Sequence, residues 1–420
     1  MPRRVMTLLS VRMAQARILS RFQPVETETL PLNQCMGRVL AASIISSDLP
    51  FFDNSSADGF AVVASDLAGV SEAKPRTLQV IADIPAGTDP SVKIGRGEAA
   101  RIMTGAPIPA GADAVIMVED TDFDHRGPGV EAPKQVKVMK AVRSGENIRT
   151  RGMDVRKGEK VLLAGQPLRP QDLGMLAMLG VANVDVFRKP RAALISSGDE
   201  LLSVEAPLEA GKIRDTNTYT LSALILEAGS EVISLGIAPD RLDVIKAHFD
   251  RAVDLGADLL VSSAGVSVGA HDFIKDVVET DGTLDFWRVN MRPGKPLAFG
   301  EYRRVPFVGL PGNPVSAFVG FEVFVRPALE RLGGISAEEA ARAADRRKVR
   351  VELEEAVESD GRESYLRAVV EQRAGGLSAR LTGHQGSGNL LSLVQANALL
   401  IIPAGVKSLA IGAQVDAWIL

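Results

Sequence analysis

From Pro190 to about residue 330 the chain alternates short apolar runs with amphipathic segments, and this alternation narrows the possible folds more than any other feature. Ala192–Ser196 reads as an apolar strand. Asn217–Ala228 reads as a helix stopped by Gly229, and Glu231–Ile237 as a strand. Leu242, Ile245, Phe249 and Ala252 line one face of the next helix. Asp258–Ser262 reads as a buried strand and Phe273–Val278 as helical. Phe286–Val289 and Pro306–Leu310 read as further strands, and a helix starts at Asn313-Pro314. Strands alternating with helices of this length imply parallel βαβ units. The expectation is a doubly wound α/β domain over 181–330. In such sheets ligands bind beyond the carboxyl ends of the strands.

The flanking sequence has a different texture. Val11, Ala14, Ile18 and Phe22 fall at helical spacing, so 10–22 reads as an amphipathic helix. Arg3 and Arg4 before a short apolar stretch, with Ala14-Gln15-Ala16, resemble a signal peptide, but Arg12 interrupts the stretch. Between Leu49 and Val142 short strands (Thr77–Ile81, Asp113–Val118, Val136–Met139) alternate with Gly/Pro turns. Pro170 and Gly180 suit the first position and the C′ position of a helix over Gln171–Leu179. Ala337–Arg346 reads as a helical linker. Lys348–Leu353, Tyr365–Glu371, Leu377–Leu381, Ala398–Ile402 and Val415–Ile419 suffice for a small β-barrel of about five strands. The whole reads as multidomain α/β plus β. A mixed N-terminal domain (1–48 and 147–180) carries a β-rich inserted domain (49–146); the α/β domain (181–330) and a C-terminal β-barrel (331–420) follow.

Composition excludes several functions. Lys and Arg total 48 against 52 Asp and Glu, a net charge of −4, which disfavours nucleic-acid binding. Cys35 is the single cysteine, so an intrachain disulfide or a cysteine-based zinc site is excluded. The four histidines, His125, His248, His271 and His384, show no metal-motif spacing. The uncharged run Val305–Phe321 is too short and too rich in proline to span a membrane. A cytoplasmic location is expected.

Each strand of the α/β pattern is followed by a loop with chemistry in it: Ser196–Glu200, Ile213–Asn217, Ala238–Asp240, Ser262–Asp272, Arg288–Lys295 and Leu310–Ser316. Together they supply glycines for close backbone approach, hydroxyls, carboxylates and cations. Arginine suits phosphate-like oxyanions. Carboxylates beside a phosphate repel it unless a hard cation such as Mg²⁺ lies between. The loops therefore point to an oxyanion or nucleotide-phosphate site with a divalent metal. For Asp199, Asp215 and Asn217, helix capping is an equal alternative. Arg288 and Lys295 taken singly also fit solvated surface charges. Glu200 and Asp272 favour function, each within a Gly/Ser loop at the expected edge. Neither the P-loop nor the dinucleotide-binding glycine pattern is present. Elsewhere, Pro50–Phe60 packs carboxylates and a carboxamide among serines, and Arg101–Pro107 and Thr382–Gly388 are small-residue loops. His384 reads as a locally bonded turn histidine, His125 as exposed in a hairpin and His248 as lying on a helix face.

Several of these motifs in order resemble those of the molybdopterin molybdenumtransferase (MoeA) family, which includes the E domain of gephyrin. The carriers are Asp53-Asn54-Ser55 with Asp58-Gly59, Arg101–Ala106, Ser197–Leu201, Asp215–Asn217, Gly265–Gly269, Pro293–Pro296, Gly309–Ser316 and Gly383–Ser387. The resemblance runs essentially end to end. It implies a MoaB/Mog-like central domain and insertion of molybdate into adenylyl-molybdopterin, with AMP released and Mg²⁺ as the ion. The family's acidic functional positions fall on Asp58, Glu200, Asp240 and Asp272, with Thr104 beside them, and Glu200 and Asp272 as the metal-binding pair. Substrate-binding candidates are Ser197, Asp199, Asp215, Ser267, Arg288, Arg292, Lys295, Asn313, Ser316, Arg367 and Ser387, with Arg292 and Ser316 expected near molybdate. The resemblance also implies a homodimer in which the loop holding Asp58 faces the partner's α/β domain. Further partners would be the adenylyltransferase of the preceding step and recipient molybdoenzymes. Departures from the pattern are Ala57, Phe60, Ala264, and Met153 where a glutamate is usual. Two other functions compete: the adenylyltransferase itself, whose fold resembles 181–330 alone, and a non-enzymatic scaffold of the gephyrin kind.

Overall fold

The strand Arg191–Ser197 (β1) is buried at every position but its first, which requires cover on both faces. Its alternate residues find that cover on opposite sides. Ala192 and Leu194 share a core with Leu221 and Ile225 of helix Asn217–Glu227 (α1). Ala193 and Ile195 pack with Ile245 and Phe249 of helix Leu242–Asp254 (α2). These relations come from a computed structural model, which describes residues 8–123, 130–264, 273–340 and 348–420. The chain divides into two compact units, one made of Met1–Ala42 with Leu163–Leu420 and the other of Ser43–Leu162.

Within the first unit the α/β sheet adds Glu231–Ala238 (β2), Leu259–Ser263 (β3), Gly282–Arg288 (β4), Pro296–Tyr302 (β5) and Val305–Leu310 (β6), with helix Phe273–Asp281 (α3) before β4. The strand order is β2-β1-β3-β6-β5-β4. β1 runs parallel to β2 and β3, and β3 to β6. The chain leaves β1 for one neighbour and returns to the other, so a topological switch lies between β1 and β3. The doubly wound domain is present, with one correction: β5 is a strand that the sequence pattern did not signal, antiparallel to both neighbours. Its hairpin to β6 turns on Arg303 and Arg304 with φ of 45° and 73°, a two-residue turn lacking the Asn-Gly that usually marks one. β4 also begins earlier than expected, at Gly282. It runs in the same direction as β6, so the Arg288–Lys295 turn emerges at the same edge as the loops after β1 and β3.

After β6 comes helix Pro314–Gly320 (α4), with proline at its first position. It continues through a π turn, Phe321–Val325, into Arg326–Leu332. The N-terminal helix Val11–Leu19 buries Val11, Ala14 and Ile18 in the same core as Val323 and Leu329. Gln15 Nε2 donates to the Val323 carbonyl at 3.0 Å, serving backbone within the π turn, where the ordinary helical bonding is displaced. Thr27–Pro31 pairs antiparallel with Asn183–Phe187, and helix Pro170–Met178 ends at Gly180, whose φ is 75°.

The C-terminal barrel is closed by five strands: Lys348–Leu353 (β7), Glu363–Arg373 (β8), Gly376–Leu381 (β9), Ala398–Ile402 (β10) and Gln414–Ile419 (β11). Pairing runs β8-β9-β7-β11-β10 and back to β8. Leu366, Ala368 and Val370 of β8 face the barrel interior, whereas Tyr365 joins the α/β core. Met291–Arg292 pairs in parallel with Glu363–Ser364, tying the β4–β5 turn to β8.

The second unit is built on a five-stranded sheet in the order Ala114–Met117, Gly59–Val62, Glu98–Ile102, Arg76–Ile84, Gln135–Val138. Phe60, Val62, Leu78, Ile116 and Val136 fill one face. A Cβ at Gly59 would lie 1.9 Å from the Ile116 carbonyl oxygen, so the strand leading away from Asp58 needs glycine there. Among the described residues no helix is long and apolar enough to cross a membrane.

Candidate functional site

A cleft of about 670 Å³ opens at the carboxyl edge of the sheet, over the β1/β3 switch. Its wall includes Ser197 at the end of β1 and Glu200 beyond it, Asp240 after β2, Ser263 and Ala264 at the end of β3, Pro311–Pro314 after β6, and Asp215 and Asn217 at the start of α1. Gly388 and Leu390 of the barrel complete it. Five of the expected site residues, Ser197, Glu200, Asp215, Asp240 and Asn313, therefore share one cavity.

One side of this edge is acidic. A Cβ at Gly198, which has a φ of 150°, would sit 2.5 Å from Glu200 Oε2, so the Glu200 carboxylate folds back against this backbone. The Asp240 amide donates to Asp199 Oδ1 at 3.1 Å. Burial, and then the charges of Asp199 and Glu200, push the Asp240 carboxyl above its usual range. Asp215 is occupied by its own helix. Its Oδ1 accepts from the Thr218 amide at 3.1 Å and its Oδ2 from the Thr218 hydroxyl at 2.5 Å. Asn217 reaches outward instead: Nδ2 donates to Ser263 Oγ at 2.6 Å and to the Gly312 carbonyl at 2.7 Å. Ser197 Oγ and Asn217 Oδ1 are buried without hydrogen-bond partners.

The start of α4 lies beside a cationic group. Arg367 of β8 is fully buried. Its Nε donates to Ser392 Oγ and its Nη2 to the Gly386 carbonyl, both at 3.0 Å, while Nη1 has no partner. None of these partners is a carboxylate. Burial, and then the Arg292 charge, lower its pKa to about 10. A buried cation without a counter-charge costs several kcal/mol, roughly, and an oxyanion is the partner a guanidinium fork fits. Asn313 Nδ2 donates to Ser387 Oγ at 3.0 Å, and the Val315 amide to the Ser387 carbonyl at 3.1 Å. Ser316 is buried one residue further on. Arg288 and Lys295 are exposed, the Lys295 carbonyl accepting from the Val289 amide at 3.0 Å.

In the second unit Asp58 and Thr104 meet: Asp58 Oδ1 accepts from both the amide and the hydroxyl of Thr104, each at 2.7 Å. Met153 is exposed, and its neighbours Arg149 and Asp154 pair with each other. Ser267, His271 and Asp272 lie outside the described residues, as does His125. His384 Nδ1 accepts from the Gly386 amide at 3.0 Å, and His248 lies on α2 with Nδ1 2.8 Å from the Val244 carbonyl. Sequence reasoning passed over Ser263 and Ser392. The strand expected to end at Ser262 runs on to Ser263, and nothing in the sequence pairs Ser392 with Arg367.

Fold and site together define a multidomain α/β protein with a polar cleft at the switch point of its sheet. Comparison with known families makes this particular. Residues 9–180 match the family model described as "MoeA N-terminal region (domain I and II)". Residues 193–331 match "Probable molybdopterin binding domain", and 350–420 match "MoeA C-terminal region (domain IV)". The chain is 38% identical to molybdopterin molybdenumtransferase 2 of Mycobacterium tuberculosis (strain ATCC 25618 / H37Rv), over 93% of this chain and 94% of that protein. It is 36% identical to the molybdopterin molybdenumtransferase of Bacillus subtilis (strain 168), over 94% and 90%. The crystal structure of the molybdopterin biosynthesis moeA protein from Pyrococcus horikoshii OT3 superposes with a TM-score of 0.81 at 32% identity, covering 99% of this chain and all of that one. The chain belongs to the MoeA family of molybdopterin molybdenumtransferases.

Proposed function

We propose that this chain inserts molybdate into adenylyl-molybdopterin, releasing AMP and yielding the molybdenum cofactor. As a family member it is a transferase of molybdenum cofactor biosynthesis acting on molybdopterin-related substrates. The observation that carries the finer reading is the buried, counter-charge-free Arg367 beside the start of α4, on a chain whose switch-point cleft has an acidic rim.

In this reading Arg367 and Arg292 draw the molybdate oxyanion toward Ser316, Asn313 and Ser387, with Arg288 and Lys295 at the outer rim. Ser197, Asp199 and Ser267 contact the adenylylated pterin, while Asp215 caps the helix at the cleft wall. The pterin's dithiol sulfurs displace one oxygen of molybdate, which leaves as water with the two thiol protons, and a water molecule cleaves the phosphoanhydride to give AMP and the pterin phosphate. Asp240, its carboxyl pushed up, is poised to hold a proton at the leaving phosphate. Asp58, fixed by Thr104, belongs to the second unit and is assigned to the site of a partner subunit in a homodimer.

The acidic rim is chemically suited to Mg²⁺, since its donors are all carboxylate oxygens. Among the described residues no three His, Cys, Asp or Glu groups converge to hold an ion. Mg²⁺ ordinarily uses one or two carboxylates and completes its shell with water and substrate phosphates. We assign Glu200 and Asp272 to hold it. When bound, the ion would neutralise charge on the leaving phosphate. The test is reconstitution: a molybdenum-free apo-enzyme should gain activity with this protein, Mg²⁺, molybdate and adenylyl-molybdopterin. No gain with an intact apo-enzyme that accepts preformed cofactor would reject the reading.

A further inference from the structure

We propose that Ser263 is a hydrogen-bond donor to a phosphate oxygen of the substrate, and that Asn217 is the positioning residue that aims it. This rests on the proposed function for the identity of the ligand, and on geometry for the rest. A serine hydroxyl has one proton to donate and two lone pairs to receive. Asn217 Nδ2 can only donate, so the 2.6 Å contact uses a lone pair of Ser263 Oγ. The amide orientation is settled by the second contact. The same Nδ2 donates to the Gly312 carbonyl at 2.7 Å, and turning the amide over would set Oδ1 against that oxygen.

The Ser263 proton is therefore free. Among the described residues the Ser263 side chain makes no other hydrogen bond. Ser263 is 1% exposed, so water is a poor substitute, and a buried proton with no acceptor is destabilising unless a ligand takes it. Its place says which ligand. Ser263 is the last residue of β3 and lies in the cleft wall. Across the switch the last residue of β1, Ser197, also lines the cleft, and its Oγ has no partner. Ser263 pairs in register with Ser196, the residue before it. Unspent hydroxyls at the carboxyl ends of both switch strands, each in the wall of the same cleft, suit an acceptor-only group with several oxygens, which is a phosphate. They also offset the repulsion a phosphate meets from Asp199 and Glu200.

The test titrates two probes, adenylyl-molybdopterin without molybdate (followed by pterin fluorescence) and AMP alone (by calorimetry), and records thermal unfolding of each variant. Ser263→Ala should weaken both probes by about ten- to hundred-fold, the size of one hydrogen bond to a charged oxygen, with the unfolding midpoint unchanged or raised. Ser263→Thr, which keeps the hydroxyl, should restore binding to within a few-fold. Asn217→Asp can only accept from Ser263, turning the proton away from the cleft. The added carboxylate also repels the phosphate, so Asn217→Asp should weaken both probes at least as far as Ser263→Ala, and the double variant should be no weaker than Asn217→Asp alone. Wild-type affinity in Ser263→Ala overturns the inference. So do losses that multiply in the double variant, or a loss that Ser263→Thr does not restore and that follows a falling midpoint. If the unaltered chain binds AMP but not adenylyl-molybdopterin, the function reading fails while the Ser263 assignment stands on the AMP arm.

Discussion

Asp240 and Arg367 hold charges in surroundings that suit them poorly, and each mismatch gives a measurable sign. The Asp240 carboxyl is raised first by burial and then by Asp199 and Glu200. A raised carboxyl contributes stability below the ordinary aspartate range that is lost as pH rises through its folded value. Asp240→Asn should therefore raise the unfolding midpoint at about pH 7 and leave it nearly unchanged near about pH 3. An equal shift at both would contradict the assignment. For Arg367 the discriminating readout is ligand-linked. Molybdate at a hundredfold excess over its Kd should stabilise the unaltered protein by about 2.7 kcal/mol and Arg367→Met not at all. Thermal unfolding with and without molybdate decides it, and equal stabilisation of both proteins would remove Arg367 from the oxyanion site. The ligand edge was legible at this scale because apolar runs end where Ser197, Glu200 and Asp240 begin. The bridging role of Asn217 was not, because its partners are 46 and 95 residues away in sequence.

Elements were legible where local pattern and tertiary demand agree. The N-terminal helix has its apolar residues at helical spacing, and Ser10 accepts the Met13 amide at 3.2 Å as its cap. β5 escaped notice because its turn carries no turn residues. Arg303 and Arg304 both take positive φ, which side-chain-bearing residues adopt at a cost of roughly 1–2 kcal/mol each. Arg303 recovers part of this by pairing with Asp250 at 3.1 Å. Arg304 is exposed. Arg304→Gly should accordingly raise unfolding free energy by about 1 kcal/mol in a urea titration, with the slope unchanged; a loss of stability would show that Arg304 has a favourable partner. The π turn at Phe321–Val325 was equally hidden, since its residues continue an apolar helical run and only the Gln15 contact marks the displaced bonding.

At the scale of the whole molecule, changes of texture exposed the β-rich stretch, the α/β core and the terminal barrel, but not how the barrel reaches the site. Met291–Arg292 pairs with Glu363–Ser364 and brings Arg292 near Arg367, while Asn313 and Val315 bond Ser387. No periodicity encodes a two-residue bridge. The proposed placing of Asp58 opposite a partner's cleft requires a dimer. Sedimentation at micromolar concentration should give about twice 44.6 kDa, and a fully active monomer would contradict it. In the proposed function the acidic rim and the buried arginine serve one reaction. The most direct measurement is AMP release from adenylyl-molybdopterin across a Mg²⁺ titration, with and without molybdate, for the unaltered chain and for Glu200→Gln. The account predicts release that requires both Mg²⁺ and molybdate, and a fall of on the order of a hundredfold in a folded Glu200→Gln. Release at the same rate from both proteins, with the same Mg²⁺ dependence, would contradict it.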